Sequence, residues 1–90
     1  MMLDVDCNKR FQLFNNQDVQ PRSVAIEGED HCNGGIQITI KDANGNTTGQ
    51  SANIFPPGGV VVLNIPPKHL VEVFCDGNGT GCKVGASILS

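Results

Sequence analysis

Short apolar–polar alternations separated by turn residues constrain this chain more than any other feature of its sequence. Ile36, Ile38 and Ile40 alternate with polar residues, and a period of two places every second side chain on one face of a β-strand. The segment 42–46 follows and contains an Asn-Gly pair, which readily adopts the positive φ angles of a tight hairpin turn. The pattern therefore predicts a β-hairpin centred on this turn.

The rest of the chain repeats this arrangement and favours an all-β fold. Eleven glycines and five prolines divide it into short segments, several of them rich in the β-branched residues that are typical of strands. No segment has the period and length of an amphipathic helix. We predict about seven strands, over residues 11–14, 23–27, 36–41, 47–55, 60–65, 70–75 and 83–88. Short strands at this spacing predict a sandwich of about seven to eight antiparallel strands, of the jelly-roll or Greek-key type.

Length and charge narrow the classes of partner. Ninety residues correspond to one domain, too short to bury a large core, and such domains are often held by disulfides or by neighbouring subunits. The net charge is −3 and the six basic residues are dispersed, with only Lys9 and Arg10 adjacent. A nucleic-acid-binding protein needs a basic face, so we expect no such partner. No apolar run approaches the ~20 residues that span a bilayer, so we expect no membrane partner.

Residues 1–9 differ from the rest of the chain. Leu3 and Val5 alternate with acidic residues ahead of Cys7. One interpretation is a frayed terminus; the other is an extended connector arm that docks on a partner through Leu3 and Val5, ahead of a sandwich core over 10–90. The segment lacks the basic start and apolar stretch of a secretory signal.

The four cysteines allow two bridges in three arrangements. Cys75 and Cys82 flank a glycine-rich turn and would face each other if their strands paired as a hairpin. Alternatively, both lie at one end of a sheet and pair with distant partners. Cys32 precedes a strand, and Cys7 is placed to reach another molecule.

Other kinds of site have weak support. Structural zinc sites usually contain a C-x-x-C pair, which this chain lacks, so we expect no metal and no cofactor. The segment 42–46 lacks the spacing of a calcium loop. His31 and His69 have no serine motif beside them, and although a Cys–His pair need not be close in sequence, we expect no catalytic residue, no small-molecule substrate and no enzyme.

The order of four segments resembles the endospore appendage (Ena) fibre subunits of spore-forming bacilli. These are the arm with Leu3 and Val5 ahead of Cys7, the strand 35–40, the Pro-Gly turn before the strand 60–63, and the strand 70–75 leading to Cys82. The resemblance implies an eight-stranded jelly roll with a flexible connector. It also implies that Cys7 bonds to core cysteines of a preceding subunit, namely Cys32 and Cys75 or Cys82. A single Cys7 departs from the adjacent cysteines of many family arms, and the core is short.

These observations lead to one main hypothesis and two alternatives. The main hypothesis is a structural subunit that forms a homopolymer through its arm and through strand pairing at sheet edges, locked by disulfides. It would lie outside the cell, on a spore or cell surface, after release by lysis without a signal peptide. The first alternative is a β-sandwich binding module for a sugar or protein partner, and the second is a small metal-stabilised domain or enzyme.

Overall fold

The computed structural model describes residues 2–90, which form an all-β protein of eight antiparallel strands. The strands are β1 (Leu3–Val5), β2 (Arg10–Asn15), β3 (Arg22–Asp30), β4 (Asn33–Lys41), β5 (Thr47–Ile54), β6 (Gly58–Ile65), β7 (Leu70–Gly77) and β8 (Cys82–Ile88). The all-β prediction is confirmed, and every predicted strand overlaps an observed one. Residues 2–90 include no helix, and thus no helix that could cross a membrane.

The strands are divided between two sheets of four. The first has the order β1-β8-β3-β6 and the second the order β2-β7-β4-β5. Of the strands that follow each other in sequence, only β4 and β5 pair with one another. The chain otherwise crosses from one sheet to the other or enters its sheet beside a distant strand. β7 and β8 consequently lie in different sheets, so Cys75 and Cys82 are not partners across a hairpin.

Aliphatic side chains from alternate positions fill the space between the sheets. The inward residues of β3, β4 and β7 are fully buried: Val24, Ile26, Ile36, Ile38, Ile40, Val71 and Val73. Their period of two is the pattern by which a half-buried strand is recognised. Burial of these side chains is the main favourable contribution to folding, because each removes apolar surface from water.

The predicted hairpin turn between β4 and β5 is confirmed. The N–H of Gly45 donates to the carbonyl of Asp42 at 3.0 Å, and Gly45 has a φ of +83°. The carboxylate of Asp42 accepts the backbone N–H groups of Asn46 and Asn44 at 3.0 and 2.9 Å. The bond from Asn46 is the main cause of the lowered pKa of Asp42, since a carboxylate that accepts hydrogen bonds favours its charged form.

The N-terminal segment differs from the expected arm. β1 pairs antiparallel with β8 of its own chain, with Leu3 opposite Val84 and Val5 opposite Cys82. Val5 is 5 % exposed and belongs to the core, whereas Leu3 is 40 % exposed. In the single chain, residues 2–9 therefore continue the sandwich and do not extend from it, because backbone pairing and the burial of Val5 hold them there. Met1, the first residue of the expected arm, lies outside the described residues.

Candidate functional site

All four cysteines meet at one end of the sandwich. Cys7 lies in the connection between β1 and β2, and Cys32 lies in the connection between β3 and β4. Cys75 is near the end of β7, and Cys82 begins β8. We call these four residues, together with Asp30 at the end of β3, the sulfur cluster.

One disulfide is formed within the chain, between Cys7 and Cys32. Their Cα atoms are 5.7 Å apart, within the range that suits a disulfide. The bond joins the connection after β1 to the other side of the first sheet, and it closes a segment of 25 residues. The sequence-based expectation was a bond from Cys7 to a different subunit. The single chain makes the bond internally, and the intersubunit role of Cys7 and Cys32 stays a prediction for an assembled state.

Two cysteines remain free and buried beside this disulfide. The sulfur of Cys82 lies 3.7 Å from the sulfur of Cys32. Cys75 faces Cys82 from the opposite sheet, and the two thiols interact. Burial is the main cause of the raised pKa of both thiols, and the contact with Cys75 adds to the effect on Cys82. Both sulfurs are therefore protonated and weakly nucleophilic at neutral pH.

Asp30 is the one buried carboxylate among the described residues. It is 5 % exposed, and it accepts the backbone N–H of Cys32 at 2.8 Å and that of Gly35 at 2.6 Å. The thiol of Cys82 lies 3.2 Å from the same carboxylate. Within residues 2–90, no ion pair links this carboxylate to a basic side chain. Asp30 thus positions the backbone around Cys32 and carries a buried charge that has hydrogen-bond donors but no counter-ion.

The histidines are not part of the cluster chemistry. His31 has a half-exposed side chain 3.8 Å from the carboxylate of Glu29, and its backbone, not its ring, contacts the glycine-rich turn at Thr80 and Gly81. His69 bonds to the carbonyl of Pro67 through Nδ1. In the part of the chain that the structure describes, the free thiols contact Asp30, Cys32 and each other. The arrangement is suited to disulfide exchange and to metal binding.

A second feature is an uncharged side of the molecule. β5 and β6 are the edge strands of their sheets on the same side, and no charged residue occurs between Asp42 and Lys68. Phe55, Val60 and Val62 are exposed there, at 69 %, 62 % and 61 %. We call this surface the β5–β6 edge. Our sequence analysis did not identify it, although the uncharged stretch of sequence was the available signal.

Comparison with protein-family models, with curated proteins and with solved structures gives no match to this chain.

Proposed function

We propose that this protein is a structural subunit that assembles with copies of itself into a disulfide-cross-linked extracellular fibre. The observation that carries the proposal is the β5–β6 edge. Natural sheets protect their edges with charges, prolines or bulges, because unpaired N–H and C=O groups invite another strand. β6 has eight consecutive residues without a charge or a proline. Such an edge is typical of a surface that another strand covers.

The occupant we propose is a second copy of the chain. The edge at the other end of the first sheet, β1, is only three residues long, so β8 beyond Val84 also lacks a neighbour on that side. Pairing of β6 of one copy with β8 of the next would join two different surfaces. A contact of this kind repeats without closing unless its rotation forms a ring.

Disulfide cross-linking enters through exchange of the N-terminal segment. β1 pairs with β8 alone and contributes three residues to the sheet. Moving it to a neighbour breaks and remakes the same contacts, as in domain swapping. Cys7 of one copy would then bond to Cys32 of the next, and the bond would make a reversible contact persistent.

The finer assignment of the fold belongs to the same proposal. The order β1-β8-β3-β6 against β2-β7-β4-β5 supports an eight-stranded jelly roll built from two Greek keys. This topology is the one that the resemblance to endospore appendage subunits implies. A spore-surface location rests on that resemblance.

Charge placed on the β5–β6 edge tests the assembly. Val62→Lys adds a cation to an exposed position of β6, and Gln37→Lys adds the same cation to an exposed position of the inner strand β4. We expect Val62→Lys to slow polymer formation about tenfold in light scattering, and Gln37→Lys to leave it unchanged. A wild-type protein that stays monomeric at millimolar concentration under oxidising conditions would contradict the proposal.

Complementary cysteine variants test the cross-link. Cys7→Ser and Cys32→Ser each remove one end of the disulfide. If Cys7 bonds to Cys32 of a neighbour, a mixture of the two variants forms a covalent dimer on non-reducing gels, whereas each variant alone lacks that Cys7–Cys32 link. Mass spectrometry of the cleaved dimer identifies the bonded pair. A mixture without this linkage would show that the bond is confined to single chains.

A groove favours the binding-module alternative as a second candidate. Its volume is about 540 Å³, and it lies beside the start of β6 with Glu27, Glu29, His31 and Val60 among its lining residues. The groove combines carboxylates with apolar surface, which suits a polar ligand such as a sugar. A monomer that binds a glycan array, and loses that binding in Glu29→Lys, would favour this candidate over the fibre.

A further inference from the structure

We propose that the sulfur cluster binds one Zn²⁺ ion when the Cys7–Cys32 bond is reduced, with Cys7, Cys32, Cys82 and Asp30 as ligands. The site does not depend on self-assembly. Its elements are three buried potential ligands whose donor atoms all lie within 4.8 Å of one another: Asp30, Cys32 and Cys82. They come from two neighbouring strands and the loop after β3.

The spacing of the donor atoms suits tetrahedral zinc. Two sulfurs bound to zinc at ~2.3 Å lie ~3.8 Å apart at a tetrahedral angle, and the sulfurs of Cys32 and Cys82 are 3.7 Å apart. A carboxylate oxygen and a sulfur on the same ion lie ~3.5 Å apart, and the Asp30 oxygen and the Cys82 sulfur are separated by 3.2 Å. Three corners of a coordination tetrahedron are thus in place.

Reduction supplies the fourth ligand. A thiol reductant gives two electrons and two protons to the Cys7–Cys32 bond and is itself converted to a disulfide. The products are two thiols, and the sulfur of Cys7 then lies beside that of Cys32. Zn²⁺ displaces one proton from each of Cys7, Cys32 and Cys82, so binding releases three protons to solvent. The metal and the disulfide therefore exclude each other.

The buried charge of Asp30 is an independent indication of a cation. A buried carboxylate is normally paired with a positive group or coordinates a metal, and Asp30 has hydrogen-bond donors but no basic partner among the described residues. The sulfur-rich donor set favours zinc over magnesium or calcium, which prefer oxygen ligands. A small groove of about 110 Å³, lined in part by Asp6, Gly81 and Cys82, connects the cluster to solvent.

Metal titration of the full chain tests the site. The protein is reduced with a phosphine, which takes up the oxygen of a water molecule as the disulfide becomes two thiols, and is then dialysed against Zn²⁺ without oxygen. We expect one zinc per chain for the reduced protein and none for the oxidised protein. With Co²⁺ as the probe, we expect the intense visible bands of a tetrahedral site and sulfur-to-cobalt charge transfer. Equal binding by the oxidised protein, or no binding after reduction, would overturn the proposal.

Variants test the ligand set. Cys82→Ser and Cys7→Ser should each lower zinc affinity at least ~100-fold, beyond the range expected for loss of a supporting residue. Asp30→Asn should alter the Co²⁺ spectrum while charge transfer from three sulfurs remains. Cys75→Ser is the matched control, since it changes a buried cysteine outside the set and should retain affinity. Loss of binding in Cys75→Ser but not in Cys7→Ser would refute this set of ligands.

Folding is followed in the same samples by circular dichroism. If the reduced chain without metal is unfolded, we expect stoichiometric Zn²⁺ to restore the β-sheet spectrum, because binding and folding are then coupled. Failure of zinc to restore it would count against the site. Every readout reports on metal or folding and not on polymer formation, so the result is independent of the fibre proposal.

Discussion

Cys82 and Asp30 lie opposite each other on β8 and β3, with the thiol sulfur 3.2 Å from the carboxylate. The contact forms at the buried end of the sandwich, where neither side chain reaches solvent to any extent. Burial, the contact with Cys75 and the contact with Asp30 all raise the pKa of Cys82 above the ordinary thiol value of 9.0. A negative charge on this sulfur would face the carboxylate without water to separate them. This pair therefore links stability to pH and cysteine chemistry to folding.

The first prediction is a loss of stability in alkali. Below pH 9 the thiol is protonated in both the folded and the unfolded chain, so its contribution is fully present. Above pH 9 the unfolded chain loses the proton while the folded chain retains it, and the free energy of unfolding should fall by roughly 1 kcal/mol per pH unit. Urea unfolding between pH 7 and 10.5 measures this slope.

Cys82→Ala is the control for the alkaline slope, because it removes the titrating group and should flatten the curve relative to wild type. Acid-quenched samples are checked by mass spectrometry for unchanged disulfide pairing. Parallel curves for the two proteins would show that this thiol does not govern the alkaline limit.

The second prediction concerns thiol reactivity. Cys75 and Cys82 are 0 % and 1 % exposed, and their raised pKa disfavours the reactive thiolate. We expect the native protein at pH 7.5 to react with an aromatic disulfide reagent at least ~100 times more slowly than the urea-unfolded protein. The reagent should then label both cysteines of the unfolded chain. Rapid labelling of the native protein would place at least one of the thiols at the surface.

The third prediction concerns the internal disulfide. The bond closes a segment of 25 residues, for which the chain-entropy account gives about 3 kcal/mol of stabilisation. Cys7→Ser should lower the free energy of unfolding of the monomer by about this amount. Addition of a reductant should destabilise the wild type similarly and leave the variant unchanged. A variant as stable as the oxidised wild type would show that the bond contributes little to the fold.

The fourth prediction compares two glycines with positive φ. Gly77 has a φ of +104°, and a Cβ there would collide with the carbonyl oxygen of Cys32; Gly49 has a φ of +92° and open space around it. Gly49→Ala should cost about 1 kcal/mol through backbone strain alone. Gly77→Ala should cost at least about 3 kcal/mol, because the sulfur cluster must move as well. Thermal unfolding of both variants measures the difference, and equal losses would show that the collision is relieved without cost.

Local pattern was enough to locate the strands and the main turn. The alternation at Ile36, Ile38 and Ile40 and the Asn-Gly pair both act over a few residues, so their consequences could be predicted without the rest of the chain. The segment 1–9 shows the limit of such reasoning. Its apolar residues fit a partner's groove or the chain's own sheet equally well, and the sequence pattern does not distinguish the two.

The sequence by itself determined an all-β chain, the positions of seven of its eight strands and an aliphatic core, because these depend on side-chain periodicity along a strand. Only the tertiary structure decided that β1 pairs with β8 and that Cys7, Cys32 and Cys82 meet beside Asp30. These residues are separated by up to 75 positions, the difference between 7 and 82 in the numbering. Their meeting depends on which strands become neighbours, and strand order follows from packing of the whole chain and not from the pattern within any one segment.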